Sequence, residues 1–219
     1  MRYPAPHPIN LKPKTDLAPW ESAPKGPLAL PGEYAVSMSK RVKGELTEIS
    51  SSQRFALKPL FEGGLVTDDR QALLDFQMQS RDLYRAIAGA IRARSEIQGR
   101  IDLLLKAVED TPSATETQAQ SLRSLNSRMQ DLAVTFSGDS AISSRAEKVP
   151  MSLTGRISSI VGGHWDSQSA VTGNYRDSYA IADQQFTQAL GELKSIAADL
   201  AALEAALEAE GAPWTPGRI

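Results

Sequence analysis

Proline placement most constrains what this chain can fold into. Eight of its thirteen prolines fall within the first 31 of 219 residues. Each proline removes a backbone donor and disfavours helical geometry in the preceding residue, so this head cannot be helical. We expect it to run extended over a surface. The alternative is a disordered linker, but such linkers carry fewer apolar side chains than Tyr3, Ile9, Leu11, Leu17, Trp20, Leu28 and Leu30.

A period-2 pattern follows the head. Residues 33–39 alternate larger apolar side chains with small ones, Gly44 marks a bend, and a second alternation precedes Pro59. We predict two or three antiparallel strands over residues 33–60. Because a lone hairpin is marginal in water, the sheet must be completed by the head, the helical half or another chain. The expected β core is Tyr34, Val36, Phe55 and Leu57.

The pattern then changes to the helical period. We expect Thr67 to cap a long helix that ends near Glu109, and Thr111-Pro112 to cap a second helix. The first stripe is Phe76, Ser80, Leu83, Ile87, Ala90, Arg94, Ile97, Ile101, Leu104 and Val108. The second stripe is Leu122, Leu125, Met129, Leu132 and Phe136.

Two more helices are predicted after a loop over residues 137–150. A short one carries Leu153, Ile157, Ile160 and Val161 on one face and ends at Gly162-Gly163. The last begins between Thr172 and Asp177 and ends near Glu210. Its stripe is Tyr179, Ala182, Phe186, Leu190, Leu193, Ala197, Leu200, Leu203 and Leu207.

These elements predict an α+β, mainly α chain. Residues 1–62 would form the Pro-rich head and a partial β-sandwich, an Ig-like or fibronectin-like antiparallel segment. Residues 66–211 would form an antiparallel up-down bundle of three long helices and one short one. Residues 212–219 would form a tail that packs back on the module.

Composition narrows the function classes. The absence of cysteine excludes disulfides, thiolate catalysis and cysteine-bound metals. A net charge of -2 provides no field that would attract nucleic acid. No apolar run is long enough to span a bilayer, and the N-terminal residues lack the apolar core of a signal peptide. We therefore expect neither nucleic-acid binding nor direct membrane insertion.

Candidate catalytic groups all have simpler structural roles. We expect His164 to be a loop histidine, since no set of metal ligands surrounds it in sequence. The acidic pairs Asp68/Asp69 and Glu109/Asp110 fit helix ends. Glu204, Glu208 and Glu210 fit a solvated face. The local arginines, with Arg100 among them, also fit a solvated face. No catalytic residue, cofactor or metal site is predicted.

Four stretches together resemble a known family. "RYPAP" near the start, "GPLALPGEYAVSMS" at 26–39, "DRQALLDFQMQSRDLYRAI" at 69–87 and the terminal "GAPWTPGRI" occur in this order. The layout is similar to the C-terminal region of bacterial BNR/Asp-box, sortilin-like β-propeller proteins, often labelled glycosyl hydrolases. The resemblance covers nearly the whole chain, and its most specific parts are the PG-x-Y-x-V strand and the terminal peptide.

The resemblance implies an accessory role. No Asp-box is present, so no propeller residue can be carried over, and the chain would be a fragment or a separately encoded piece. It would cap, orient or dock an upstream β-propeller or a partner subunit, in the periplasm or outside the cell. The alternatives are a glycoside hydrolase-like enzyme, with two carboxylates in one pocket, and a carbohydrate-binding module with an aromatic strip.

The tail is expected to contribute to docking. Gly211 would end the last helix, and prolines would hold the following peptide extended. We predict that the tail folds back against the β segment, and that replacing Trp214 with Ala destabilises the module by about 2–4 kcal/mol if its ring is buried there. The docking and packing candidates are Trp20, Tyr34, Val36, Phe55, Trp214 and Pro216.

Overall fold

The computed structural model shows a helical bundle with one β-hairpin. It describes residues 1–6, 16–19, 21, 23–59, 66–145 and 147–218. In chain order the elements are β1 (Gly32–Val42), β2 (Glu45–Leu57), α1 (Arg70–Glu109), α2 (Glu116–Ser137), α3 (Ser140–Ser143), α4 (Leu153–His164) and α5 (Gly173–Ala209). The chain is therefore mainly helical, with a small antiparallel sheet near its N-terminus, as the sequence predicts.

Three columns of helix build the bundle. Phe76 contacts Tyr179 and Arg100 contacts Glu204, so α1 and α5 lie side by side and run in the same direction. The third column runs the opposite way and consists of two helices in succession. The α2 helix ends at Gly138, beside Ser152 at the start of α4.

Helix lengths fit this arrangement. At 1.5 Å per residue, the 40 residues of α1 span about 60 Å and the 37 residues of α5 about 55 Å. The 22 residues of α2 and the 12 of α4 add up to about 51 Å. The short helix α4 is therefore not a fourth column but continues the column that α2 begins.

The predicted apolar stripes form the core. All five stripe residues of α2 are buried, and so are eight of the ten on α1. The α5 helix also buries Ala189 and Ile196, which the predicted stripe omits. The stripes of the three columns meet in one continuous cluster that includes Ile101, Leu122, Met129, Ile157 and Leu200.

Helix ends were predicted less well. Asp69, not Thr67, caps α1, and its carboxylate accepts from the Ala72 amide at 2.8 Å. Thr115, not Thr111-Pro112, caps α2 in a capping box with Gln118. The Thr111 hydroxyl instead donates to the Ala107 carbonyl. Several capping residues precede each helix, and local sequence does not decide between them.

His164 is a buried residue at the end of α4, so the prediction of a loop histidine was wrong. The α4 helix continues through Gly162-Gly163, and the imidazole contacts the rings of Phe76 and Tyr175 edge-on. Neither ring nitrogen has a hydrogen-bond partner among the described residues. Burial lowers the pKa of His164 below its usual 6.5, because the charged ring would lose its hydration.

This histidine predicts a pH dependence of stability. Below about pH 6.5 the unfolded chain binds a proton at His164 that the buried ring does not, so the unfolding free energy should fall as pH falls. The slope from one group is at most about 1.4 kcal/mol per pH unit. Urea unfolding of the wild type and of His164→Phe over a pH series measures this pH dependence of the unfolding free energy.

The variant isolates the contribution of this group. The Gln77 side chain donates a hydrogen bond to the backbone carbonyl of His164, which the substitution keeps. The carboxylate of the nearby Asp166 is bound by Lys25 and Arg2. The Phe variant should therefore keep its stability over the range in which the wild type loses it. Identical pH profiles for the two proteins would contradict this assignment.

Candidate interaction site

The hairpin has one apolar face and one polar face. A turn at Lys43 and Gly44, both with positive φ, joins β1 to β2. The register pairs Tyr34 with Phe55, and their rings stack with centroids 6.0 Å apart. Since side chains alternate along a strand, the same face carries Tyr34, Val36, Met38, Val42 and Phe55, with polar side chains such as Lys40 between and beside them. The opposite face carries mainly charged and small side chains, among them Glu33, Arg41, Glu48 and Arg54.

This apolar face is exposed. Val36 retains 56% of its accessible surface and Phe55 40%, while Tyr34 and Leu57 are half-buried. No described helix contacts either strand. The prediction that these side chains form a buried β core was wrong, because alternation identifies an apolar face but not the layer that covers it. As docking candidates, Tyr34, Val36 and Phe55 stay a prediction.

The head attaches the hairpin to one end of the bundle. A β-bridge joins Arg2 to Leu28, and the Tyr34 hydroxyl donates to the Leu30 carbonyl at 2.8 Å. Arg2 and Lys25 both bind Asp166, which follows α4. The hydrogen bond from Lys25, followed by that from Arg2, holds the pKa of Asp166 below its usual value despite partial burial. The apolar face is therefore presented from an anchored base.

A mainly apolar cavity of about 270 Å³ lies at that base. It is lined from the head by Leu28, from the hairpin by Leu57 and from α1 by Leu73 and Gln77. The Gln77 side-chain amide donates to the His164 carbonyl at 2.9 Å, which ties α1 to α4 beside the cavity. Trp20, the remaining candidate of the head, lies outside the described residues.

A groove of about 630 Å³ lies between α2, α5 and the segment after α2. Its carboxylates are those of Asp131, Asp139 and Glu192. Asp139 caps α3, and Glu192 binds Arg128 at 2.6 Å, so both have structural partners. No described group of three His, Asp or Glu side chains could hold a metal ion. The described helices also contain no segment apolar and long enough to cross a membrane.

The C-terminal tail folds onto the other end of the bundle. Gly211 ends α5 at φ +74, and the amides of Gly211 and Ala212 donate to Glu208 and Leu207, which is a Schellman motif. A turn then closes from the Arg218 amide to the Thr215 carbonyl. Its central residues, Pro216 and Gly217 at φ +100, are those of a type II turn.

Arg218 fastens this tail. Its side chain is 1% exposed, donates to the carbonyls of Ala212 and Pro213, and lies 3.4 Å from the Glu208 carboxylate. The prediction that the tail folds back against the β segment was wrong, because the tail lies on the bundle beside Arg100, and Trp214, 68% exposed, and Pro216 are both exposed. The Trp214 indole donates to the Arg218 carbonyl at 2.8 Å, which holds the exposed ring in place.

A partly buried ion pair lies beneath the tail. Glu204 of α5, with a side chain 4% exposed, binds the Arg100 guanidinium of α1 through two hydrogen bonds. Gly217 has φ +100, a conformation that favours glycine, and a Cβ added there would lie 2.6 Å from the Arg100 Nε and displace that side chain. The prediction that Arg100 and Glu204 belong to solvated faces was wrong. Glu204 lies between Leu200 and Leu207 at 4/3 spacing, a signal of burial in the sequence itself.

The tail predicts opposite results for its two large side chains. Arg218→Ala should lower the unfolding free energy by about 2–3 kcal/mol, because it removes charge-assisted hydrogen bonds to buried carbonyls. Trp214→Ala should change it by only about 0.5 kcal/mol, as expected for an exposed side chain. Urea unfolding measures both, with Arg123→Ala as the control for losing an exposed arginine. A larger loss for the tryptophan than for the arginine would contradict this account.

No protein-family model, curated protein or solved structure matches the chain.

Proposed function

We propose that this chain is a non-catalytic interaction module, in which the helical bundle supports the hairpin and the hairpin docks on a partner. The observation that carries the proposal is the apolar face of Tyr34, Val36, Met38, Val42 and Phe55, exposed on an anchored hairpin. Exposed apolar patches bordered by polar residues mark interaction sites in soluble proteins. The charged opposite face would stay in water.

The partner we propose is rich in β-structure. A two-stranded hairpin is marginally stable by itself, and it gains most from a further layer over its apolar face. The hairpin would then be part of an Ig-like or fibronectin-like sandwich that the partner completes. The family resemblance names a BNR-type β-propeller for this role, on the same polypeptide or on a separate subunit, in the periplasm or outside the cell.

The catalytic alternative requires a different arrangement. A glycosidase would need two carboxylates about 5–10 Å apart in one pocket, at least one of them with a raised pKa. Of the three carboxylates that line the groove of about 630 Å³, Asp139 and Glu192 already serve a helix cap and a salt bridge, which leaves Asp131 alone outside such a role and supports the non-catalytic proposal. Release of a chromogenic sugar by the purified chain, lost on Glu192→Gln, would favour the enzyme instead.

One observation favours a carbohydrate-binding module as a second candidate. The Tyr34 and Phe55 rings stack on the exposed face with an interplanar angle of 25°, and such a pair offers an aromatic surface to a sugar ring. Retention of the wild type on a glycan array, lost on Phe55→Ala, would support this candidate. Absence of retention would leave the protein partner as the function.

Crosslinking tests the docking proposal directly. Lys40 and Lys43 are exposed on the hairpin and react with amine-specific crosslinkers. In protein isolated from its own cells, we expect them to crosslink to a β-propeller, within the same polypeptide or on another one. The Val36→Ser/Met38→Ser variant should lose these crosslinks, because it removes the apolar face.

The polar face provides the matched control. Ser37→Thr/Ser39→Thr alters the opposite face of the same strand and raises its strand propensity slightly, so its crosslinks should persist. Equal crosslinking of all three proteins, or links confined to the bundle, would contradict docking through the apolar face.

A further inference from the structure

The outer edge of β1 is free in the part of the chain that the structure describes. The inner edge of β1 pairs with β2 from Gly32 to Val42, and the sheet contains these two strands alone among the described residues. An unpaired edge presents a row of N–H and C=O groups that can pair with another strand. The 11 residues of β1 make this edge about 36 Å long.

Of the two free edges, that of β1 is the regular one. From Val36 to Met38 the chain advances two residues, while its partner advances three, from Gln53 to Ser50. The next step, from Met38 to Ser39, is matched by two residues on β2. Both extra residues therefore lie on β2, where bulges disturb the spacing of backbone groups. Between residues 33 and 42, β1 contains neither proline nor glycine.

The sequence of β1 complements itself in the antiparallel direction. When two copies of residues 33–41 are aligned antiparallel about Ser37, opposite charges meet at both ends and apolar side chains meet beside the centre. The facing pairs are Glu33 with Arg41, Tyr34 with Lys40, Ala35 with Ser39, and Val36 with Met38. Directly opposite residues share a face, so each pair can form its contact.

We propose that two copies of this chain associate by antiparallel pairing of their β1 strands, around a two-fold axis at Ser37. Every contact then occurs twice, as in any isologous interface. The ion pairs of Glu33 with Arg41 lie on the polar face, and the contacts of Tyr34 with Lys40 and of Val36 with Met38 lie on the apolar face. The result is a four-stranded sheet whose apolar face is continuous across both copies. This inference uses the strand edge and does not rest on the docking of the apolar face.

Charge reversal tests the register. Wild-type protein should dimerise in sedimentation equilibrium at concentrations up to about 1 mM, the range of small interfaces. Glu33→Arg alone and Arg41→Glu alone each place like charges opposite one another twice, so each should weaken self-association at least about tenfold. An equimolar mixture of the two variants restores both ion pairs and should dimerise like the wild type.

The mixture separates this proposal from a general charge effect. Glu48→Arg reverses an exposed charge on β2 and should leave dimerisation unchanged. A wild type that stays monomeric, a mixture that does not recover association, or an equal effect of Glu48→Arg would overturn the proposal. Docking on a β-rich partner could still hold in each case, because it is measured by crosslinks to another protein.

Cysteine scanning locates the two-fold axis. The chain contains no cysteine, so each introduced thiol is unique. Facing Cβ atoms at the axis would be about 4.5–5.5 Å apart, close enough for a disulfide with small adjustments. Under mild oxidation Ser37→Cys should form covalent dimers. Ser39→Cys faces Ala35 of the other copy and should form them only slowly, and equal rates for the two variants would contradict this register.

Discussion

The parallel packing of α1 on α5 is the contact on which the other parts of the chain depend. It extends from the ring contact of Phe76 with Tyr179 to the ion pair of Arg100 with Glu204. Separating Arg100 from the buried Glu204 would leave that carboxylate without a compensating charge, so this pair penalises any shift between the two helices. With their register fixed, the two long helices form a groove for the antiparallel column of α2 and α4.

The two ends of this bundle carry different structures. At one end, Arg2 and Lys25 of the head bind Asp166 after the end of α4, and the hairpin follows the head. At the other end, the tail covers the Arg100–Glu204 pair and fastens itself through Arg218. The hairpin adds nothing to the core, and its exposed apolar face and regular free edge both suit contacts with other molecules. The proposed interaction module rests on this separation between a bundle that forms the core and a hairpin that is exposed to other molecules.

The sequence predicts the helices well, because apolar residues at helical spacing show directly which side of each helix is buried. The apolar stripe residues of α2, from Leu122 to Phe136, and those of α4, from Leu153 to Ile160, are buried as expected. The hairpin and its bend are also correct, since alternation and Gly44 specify them locally. What the sequence does not supply is the layer above Val36 and Phe55, which depends on contacts distant in the chain.

The tail shows why residue type alone misleads. Tryptophan is often buried and arginine is often solvated, yet here Trp214 is exposed and Arg218 is buried. The Pro216-Gly217 turn was a usable signal, because it reverses the chain and directs the next residue back toward the helix end. The terminal "WTPGR" thus has a structural explanation in a turn and a buried guanidinium, both needed to close the bundle.

Removing the hairpin tests the central claim, that the bundle is a self-sufficient support for an interaction element. Because Glu33 and Ala56 face each other at its base, Asn-Gly can replace residues 34–55 and join the two positions by a tight turn. In urea unfolding, this shortened chain should have the same unfolding free energy as the wild type within about 0.5 kcal/mol. Its self-association should be lost, and it should no longer copurify with the partner. A bundle that unfolds without the hairpin would contradict the account.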